Sequence, residues 1–194
     1  MNLNGKRVIL ASNSPRRKQL LAALDVDFTV DTRTTFEESF PQDMPHSKVP
    51  AAMSYGKSMG FWRELDADEI LITSDTMVLS DSLIMGKPHS REEAVGMLHK
   101  LSGHTHEVIT AVTMRDRNHC ETVSDTTLVT FRILTDAEID YYVDTCRPYD
   151  KAGAYGIQEW IGYAACTSIE GSFYNVMGFP VHKVYDELIK FAGF

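Results

Sequence analysis

The chain has 194 residues, of which 43% are hydrophobic and 24% charged, and its net charge at pH 7 is −8. That length buries a real core and suits one domain, plain or two-lobed, and the near-average composition argues against a disordered chain. The acidic balance argues against broad electrostatic binding to nucleic acid or an anionic membrane, although a small basic pocket can persist inside an acidic protein.

Arg7 to Ala11 reads as a buried strand, followed by a helix over Ser14 to Leu24 with Ser14 as N-cap and Pro15 in its first turn. Phe28 to Val30 is a second strand. Asp31 to Val49 is polar and carries Pro41 and Pro45, which predicts a long surface loop of the kind that often carries function. A helix is predicted over Pro50 to Leu65. Glu69 to Ser74 is then a strand ending at the polar pair Asp75-Thr76, with a small hairpin after it from Met77 to Leu79 and Leu83 to Met85. Ser90-Arg-Glu-Glu93 and Thr135-Asp-Ala-Glu138 are capping boxes, the first opening a helix closed by Gly103 and the second a helix to about Thr145. Between them His106 to Met114 and Glu121 to Phe131 alternate as an antiparallel pair. Strands are predicted at Ala164 to Ile169 and Phe173 to Met177, and a last helix over Val181 to Phe191. The alternation of strands and helices predicts an α/β fold.

Cys120, Cys146 and Cys166 are odd in number and far apart, which fits reduced thiols better than a disulfide framework or a zinc knuckle. No apolar run reaches the roughly eighteen residues of a membrane span, and the amino terminus lacks a signal-peptide core, so the cytoplasm is expected.

Five segments carry candidate chemistry. In Leu10-Ala-Ser-Asn-Ser-Pro-Arg-Arg17 a strand feeds a helix N-terminus, where backbone N–H groups, Ser12, Ser14 and Arg16 can hold a phosphate; the plainer alternative is a capped surface helix with solvated arginines. In Ile70-Leu-Ile-Thr-Ser-Asp-Thr76 a carboxylate at a strand end can hold a divalent cation or take a proton from water, or else serve as a turn aspartate. Lys57, on an apolar helix face, and Lys87, in the tight turn Met-Gly-Lys-Pro88, reach either an anion or solvent. Glu37-Glu38 is either surface charge or a metal ligand. His104 and His106 would share one face of a strand, but with no third histidine or cysteine near them zinc is not expected. The aromatics do not interleave with a basic stripe, so no nucleic-acid platform is predicted.

Taken in order, Leu10-Ala-Ser-x-Ser-Pro-Arg-Arg17, Lys57, Ser74-Asp-Thr76, Gly86-Lys-Pro88, Leu101-Ser-Gly-x-x-His106, Thr110, Asp150-Lys-Ala-Gly-Ala-Tyr-Gly-Ile-Gln158, Ile169-Glu-Gly-Ser-x-Tyr-Asn-Val176 and Gly178-x-Pro180 resemble the Maf family of nucleotide pyrophosphatases. The resemblance implies an elongated mixed sheet flanked by helices, two lobes with a deep central cleft, often as a homodimer. It implies cleavage of the α–β phosphoanhydride of a nucleoside triphosphate with a divalent cation, Mg²⁺ or Mn²⁺. It makes Asp75 the proton acceptor and a metal ligand, Arg16, Thr76 and Gln158 specificity positions, and Lys57 and Lys87 phosphate contacts, beside Ser12. Either Glu37 or Glu38 would hold the metal or water. The stretch from Lys151 to Gln158 resembles the subfamily acting on dTTP and UTP. Ser74 stands where the family has alanine, and its hydroxyl is expected beside the base, where it can alter hydrogen bonding. Two rivals remain: another nucleotide preference, or a non-catalytic regulator of cell division.

Overall fold

The computed structural model describes residues 1–194. It is an α/β protein with a seven-stranded mixed sheet in the order β2-β1-β3-β5-β6-β7, with β4 paired to β3. The strands are β1 (Arg7–Leu10), β2 (Phe28–Val30), β3 (Glu69–Ser80), β4 (Leu83–Met85), β5 (Thr105–Arg115), β6 (Cys120–Phe131) and β7 (Cys166–Glu170). The helices are α1 (Pro15–Ala22), α2 (Val49–Met59), α3 (Arg91–Leu101), α4 (Asp136–Cys146), α5 (Trp160–Ala165), α6 (Phe173–Val176) and α7 (Val181–Phe191). β1 runs parallel to both β2 and β3, and α1 and α2 supply the crossovers that parallel neighbours require. β3 with β4 and β6 with β7 are antiparallel.

The chain forms two compact units. The first comprises Met1–Asp75, Thr110–Asp125 and Gly178–Phe194; the second comprises Thr76–Ile109 and Thr126–Met177. In the first, Leu10, Ile70, Leu71 and Ile72 are fully enclosed, as apolar runs on parallel strands should be. Ile9, Phe61, Leu65 and Leu71 form a cluster there. In the second, Leu98 and Leu101 of α3 and Ile139 and Tyr142 of α4 are fully buried, and the two helices pack together. The capping box at Thr135 is complete, with the hydroxyl on the Glu138 N–H and the carboxylate on the Thr135 N–H. At Ser90 only half forms, because Glu93 turns to the His89 N–H at 2.7 Å instead.

Four local expectations are corrected. β3 does not end at Asp75: it runs unbroken for 12 residues, so the carboxylate lies mid-strand. The hairpin to β4 turns on Asp81 and Ser82, both at positive φ (48° and 64°), as a tight hairpin turn demands. α2 stops at Gly60, not Leu65, since Phe61 and Leu65 leave the helix to join the core cluster. Phe173–Val176 is a short helix capped by the Ser172 hydroxyl, not a strand, and the strand expected from Ala164 begins at Cys166, because Ala164 and Ala165 end α5.

Candidate active site

In the first unit, α2 and β3 are locked face to face by a reciprocal pair. The Ser54 hydroxyl donates to the Thr73 carbonyl at 3.2 Å, and the Thr73 hydroxyl donates to the Ser54 carbonyl at 2.8 Å. One step further along each element come Lys57, three residues on in the helix, and Asp75, two residues on in the strand. Both periods return the side chain to the same face, and Lys57 Nζ lies 2.6 Å from Asp75 Oδ1. Glu38 Oε1 reaches the same ammonium at 2.9 Å. Two carboxylates therefore converge on one lysine, whose third N–H remains for another acceptor.

Glu38 gets there because the loop after β2 is clipped to the end of α2. The Thr35 N–H and the Thr34 hydroxyl both donate to the Gly60 carbonyl, at 2.8 and 3.0 Å. The Phe36 ring lies where a side chain of Gly56 would be, a methyl there meeting it at 2.3 Å, and the Phe36 Cβ and backbone lie where a side chain of Gly60 would be. Phe36 thus seats beside Lys57, and Glu38 follows two residues later. Both glutamates of the pair are exposed, and of the two it is Glu38 that reaches Lys57.

At the start of α1, Ser14 caps the helix by accepting from the Arg17 N–H. Ser12 is buried, and its hydroxyl accepts from the Ser14 N–H at 3.2 Å and from Arg17 Nη1 at 3.4 Å, which leaves its own O–H to donate. Arg16 is half-buried in the first turn. Arg17 was not singled out in sequence, yet it does the structural work: it donates to the Ser74 carbonyl and to the Gly178 carbonyl, each at 2.9 Å. Enclosure lowers its guanidinium to about 10. It thereby holds the peptide immediately before Asp75. The Ser74 hydroxyl is buried and makes no hydrogen bond; strand alternation turns it to the opposite face from Asp75, so it does not lie beside the carboxylate as expected.

Thr76, Lys87 and Gln158 belong to the second unit. Thr76 is half-buried and follows Asp75 directly in β3. Lys87 is exposed in the turn after β4. The Gly153 N–H donates to the Gly86 carbonyl at 3.1 Å, which ties this turn to the loop bearing Gln158. The Gln158 Oε1 is buried and has no partner. An orphaned acceptor of this kind costs about 1–3 kcal/mol.

No three of the His, Cys, Asp and Glu side chains gather as a metal cage. Asp75 and Glu38 nevertheless offer hard oxygen donors on either side of Lys57, a chemistry that fits Mg²⁺ or Mn²⁺: such ions take one or two carboxylates and complete their coordination with water and phosphate. His104 and His106 do not share a face. His104 lies before β5, exposed, with Nδ1 2.8 Å from the Ser102 carbonyl. His106 is buried against Tyr155, Nε2 to phenol oxygen 2.7 Å, and burial lowers its imidazole to about 4. No helix is long and apolar enough to cross a membrane.

The fold is an α/β sheet whose first unit sets Lys57 between two carboxylates, with Arg17 of the α1 start holding the peptide before one of them. The sequence profile of the Maf-like protein family matches residues 7–191, and the chain belongs to that family. It is 47% identical over 190 residues to a dTTP/UTP pyrophosphatase of Parabacteroides distasonis, covering 98% of each chain. It is 47% identical over 193 residues to one from Porphyromonas gingivalis, covering 98% of this chain and 97% of that one. A Phocaeicola vulgatus protein of the same name is 46% identical over 189 residues, 97% and 98% covered. A solved HAM1 protein from Coxiella burnetii superposes at a TM-score of 0.41 with 10% identity over 65% of this chain and 73% of that one, too loose a likeness to bear on fold or function.

Proposed function

We propose that this protein is a nucleoside triphosphate pyrophosphatase that cuts dTTP and UTP between the α- and β-phosphates, releasing the monophosphate and pyrophosphate. The names of its relatives support the reaction and the bases. What carries it in this chain is the convergence of Asp75 and Glu38 on Lys57. Water attacks the α-phosphorus, Asp75 accepts its proton through Oδ2, the oxygen not engaged by Lys57, and the bond from the α-phosphorus to the bridging oxygen breaks. The departing pyrophosphate keeps that oxygen and its charge. Lys57, Arg16 and Lys87 neutralise that charge, so catalysis is positioning plus electrostatics with no covalent intermediate. A divalent cation held by Asp75 and Glu38 would screen the phosphates and make the attacking water more acidic.

Base choice falls to Gln158 with Thr76. Uracil and thymine carry an N–H at ring position 3, the donor that the orphaned Gln158 Oε1 lacks; cytosine presents a bare nitrogen there, leaving the acceptor unpaired. The test is pure protein with each common triphosphate and Mg²⁺ or Mn²⁺, assayed for pyrophosphate against orthophosphate. Pyrophosphate from dTTP and UTP, abolished by chelator and restored by metal, is expected. Orthophosphate with a diphosphate product would exclude the cleavage position.

A further inference from the structure

The loop that carries Gln158 is held by side chains that the chemistry above does not use. Tyr142, on α4, is fully buried. Its phenol oxygen accepts from the Gly156 N–H at 3.0 Å, and its O–H donates to Glu159 Oε2. The other carboxylate oxygen, Glu159 Oε1, lies 3.0 Å from Lys151 Nζ, which also pairs with Asp150 at 2.7 Å and is itself buried. The segment is therefore closed by an ion pair between its two ends, Lys151 and Glu159, and tied to α4 at Gly156. A methyl on Gly156 would lie 2.9 Å from Glu159 Cδ and 3.0 Å from Gln158 Nε2. Carboxylate and amide both lean over the bare glycine, and Gln158 sits between the two groups that the phenol holds.

A glutamine amide is not selective by itself. Turned over, it exchanges donor and acceptor and meets cytosine as well as uracil. What makes it discriminate is whatever fixes its backbone and denies it the second orientation, and such a group must be held to about 0.5 Å and 10–20°. We propose that Tyr142, together with Glu159 and Lys151, is a positioning clamp that fixes the Gln158 amide and so sets the preference for uracil and thymine over cytosine. This rests on the function proposed above.

Tyr142→Phe keeps the ring in the core and removes only the hydroxyl. The expected result is a fall of about tenfold in the UTP-over-CTP ratio of kcat/KM, the scale of one misplaced hydrogen bond. The change should lie in KM, with kcat on UTP near wild type. Amide hydrogen exchange at Gly156 should quicken by at least about tenfold in the same variant, since its N–H loses its acceptor. Glu159→Gln, which breaks the ion pair at nearly constant shape, should move the ratio the same way and carries the test if Tyr142→Phe does not fold. A lowered Tm with an unchanged ratio in the folded variants would leave the network structural only and overturn the clamp. Should the wild type hydrolyse no pyrimidine triphosphate, the proposed function fails on its own account, and exchange still tests the hold on the loop: unchanged protection at Gly156 in Tyr142→Phe overturns it.

Discussion

Asp75 is oriented by neighbours far away in sequence. Its Oδ1 is held by Lys57 and its backbone by Arg17 through the Ser74 carbonyl, so the carboxylate is fixed from two sides. Asp75→Asn is nearly isosteric, leaves Lys57 paired with Glu38 and cannot accept a proton at neutral pH. A kcat loss of roughly 10²-fold or more is expected with an unchanged melting curve, the scale of a lost general base; near-normal kcat would remove Asp75 from that role. Which of two adjacent arginines turns inward was not legible in Ser-Pro-Arg-Arg17, because the carbonyls of Ser74 and Gly178 that choose Arg17 belong to other parts of the chain. His106 gives the molecule an acid limb. Its imidazole is lowered by burial from 6.5 to about 4, so the unfolded chain binds the proton first. Its contribution to stability is complete above about pH 6.5 and is lost as pH falls towards 4, about 2 kcal/mol between pH 7 and 4.5. Denaturant melts across that range should show a shallower loss in His106→Asn than in the wild type, and equal slopes would show that His106 does not titrate as its burial requires.

Among the elements, α7 was legible throughout, since Val184, Leu188 and Phe191 recur at helical spacing and are all buried. β3 was not, because Ser74-Asp75-Thr76 looks like the polar end of a strand. Lys57 and Arg17 supply the partners that let those polar residues continue it. The register of the loop after β2 was illegible for a related reason: it is set by Phe36 on Gly56 and Gly60, a contact that no local pattern announces. Gly56→Ala tests that seat. The added methyl would meet the Phe36 ring at 2.3 Å, so the half-buried ring must leave and Glu38 loses its approach to Lys57. Alanine gains the helix about 1 kcal/mol over glycine, which offsets much of the lost packing. The expected outcome is a small change in Tm with the Mn²⁺ concentration for half-activity raised about tenfold, on the order of one lost charged ligand. A variant with unaltered metal dependence would show that Glu38 is not placed by this clip.

At the scale of the whole molecule, the chain passes between the two units four times, at residues 75/76, 109/110, 125/126 and 177/178. Three of these points fall inside β3, β5 and β6. Neither unit is a contiguous stretch, and each long strand gives one half to either. A sequence pattern could show the strands but not this division, because nothing in the composition changes at residue 75 or 125. The physical consequence is that neither unit can unfold without breaking strands that the other shares, so a single cooperative transition is expected. The two tryptophans make this measurable. Trp62 lies in the first unit, its indole N–H 2.9 Å from Asp31 Oδ2 and its ring covered by Arg33 at 3.7 Å. Trp160 lies in the second, edge-on to Tyr141 with ring centroids 5.0 Å apart. Each environment is lost on unfolding and changes fluorescence. Trp160→Phe leaves a reporter in the first unit only, and Trp62→Phe leaves one in the second. In urea the two variants should each show fluorescence and far-ultraviolet circular dichroism curves that coincide, with m-values alike within about 15%. Fluorescence midpoints separated from the dichroism midpoint in opposite directions in the two variants would mean that the units unfold independently, and the shared strands would then break at their crossing points before the rest of the sheet.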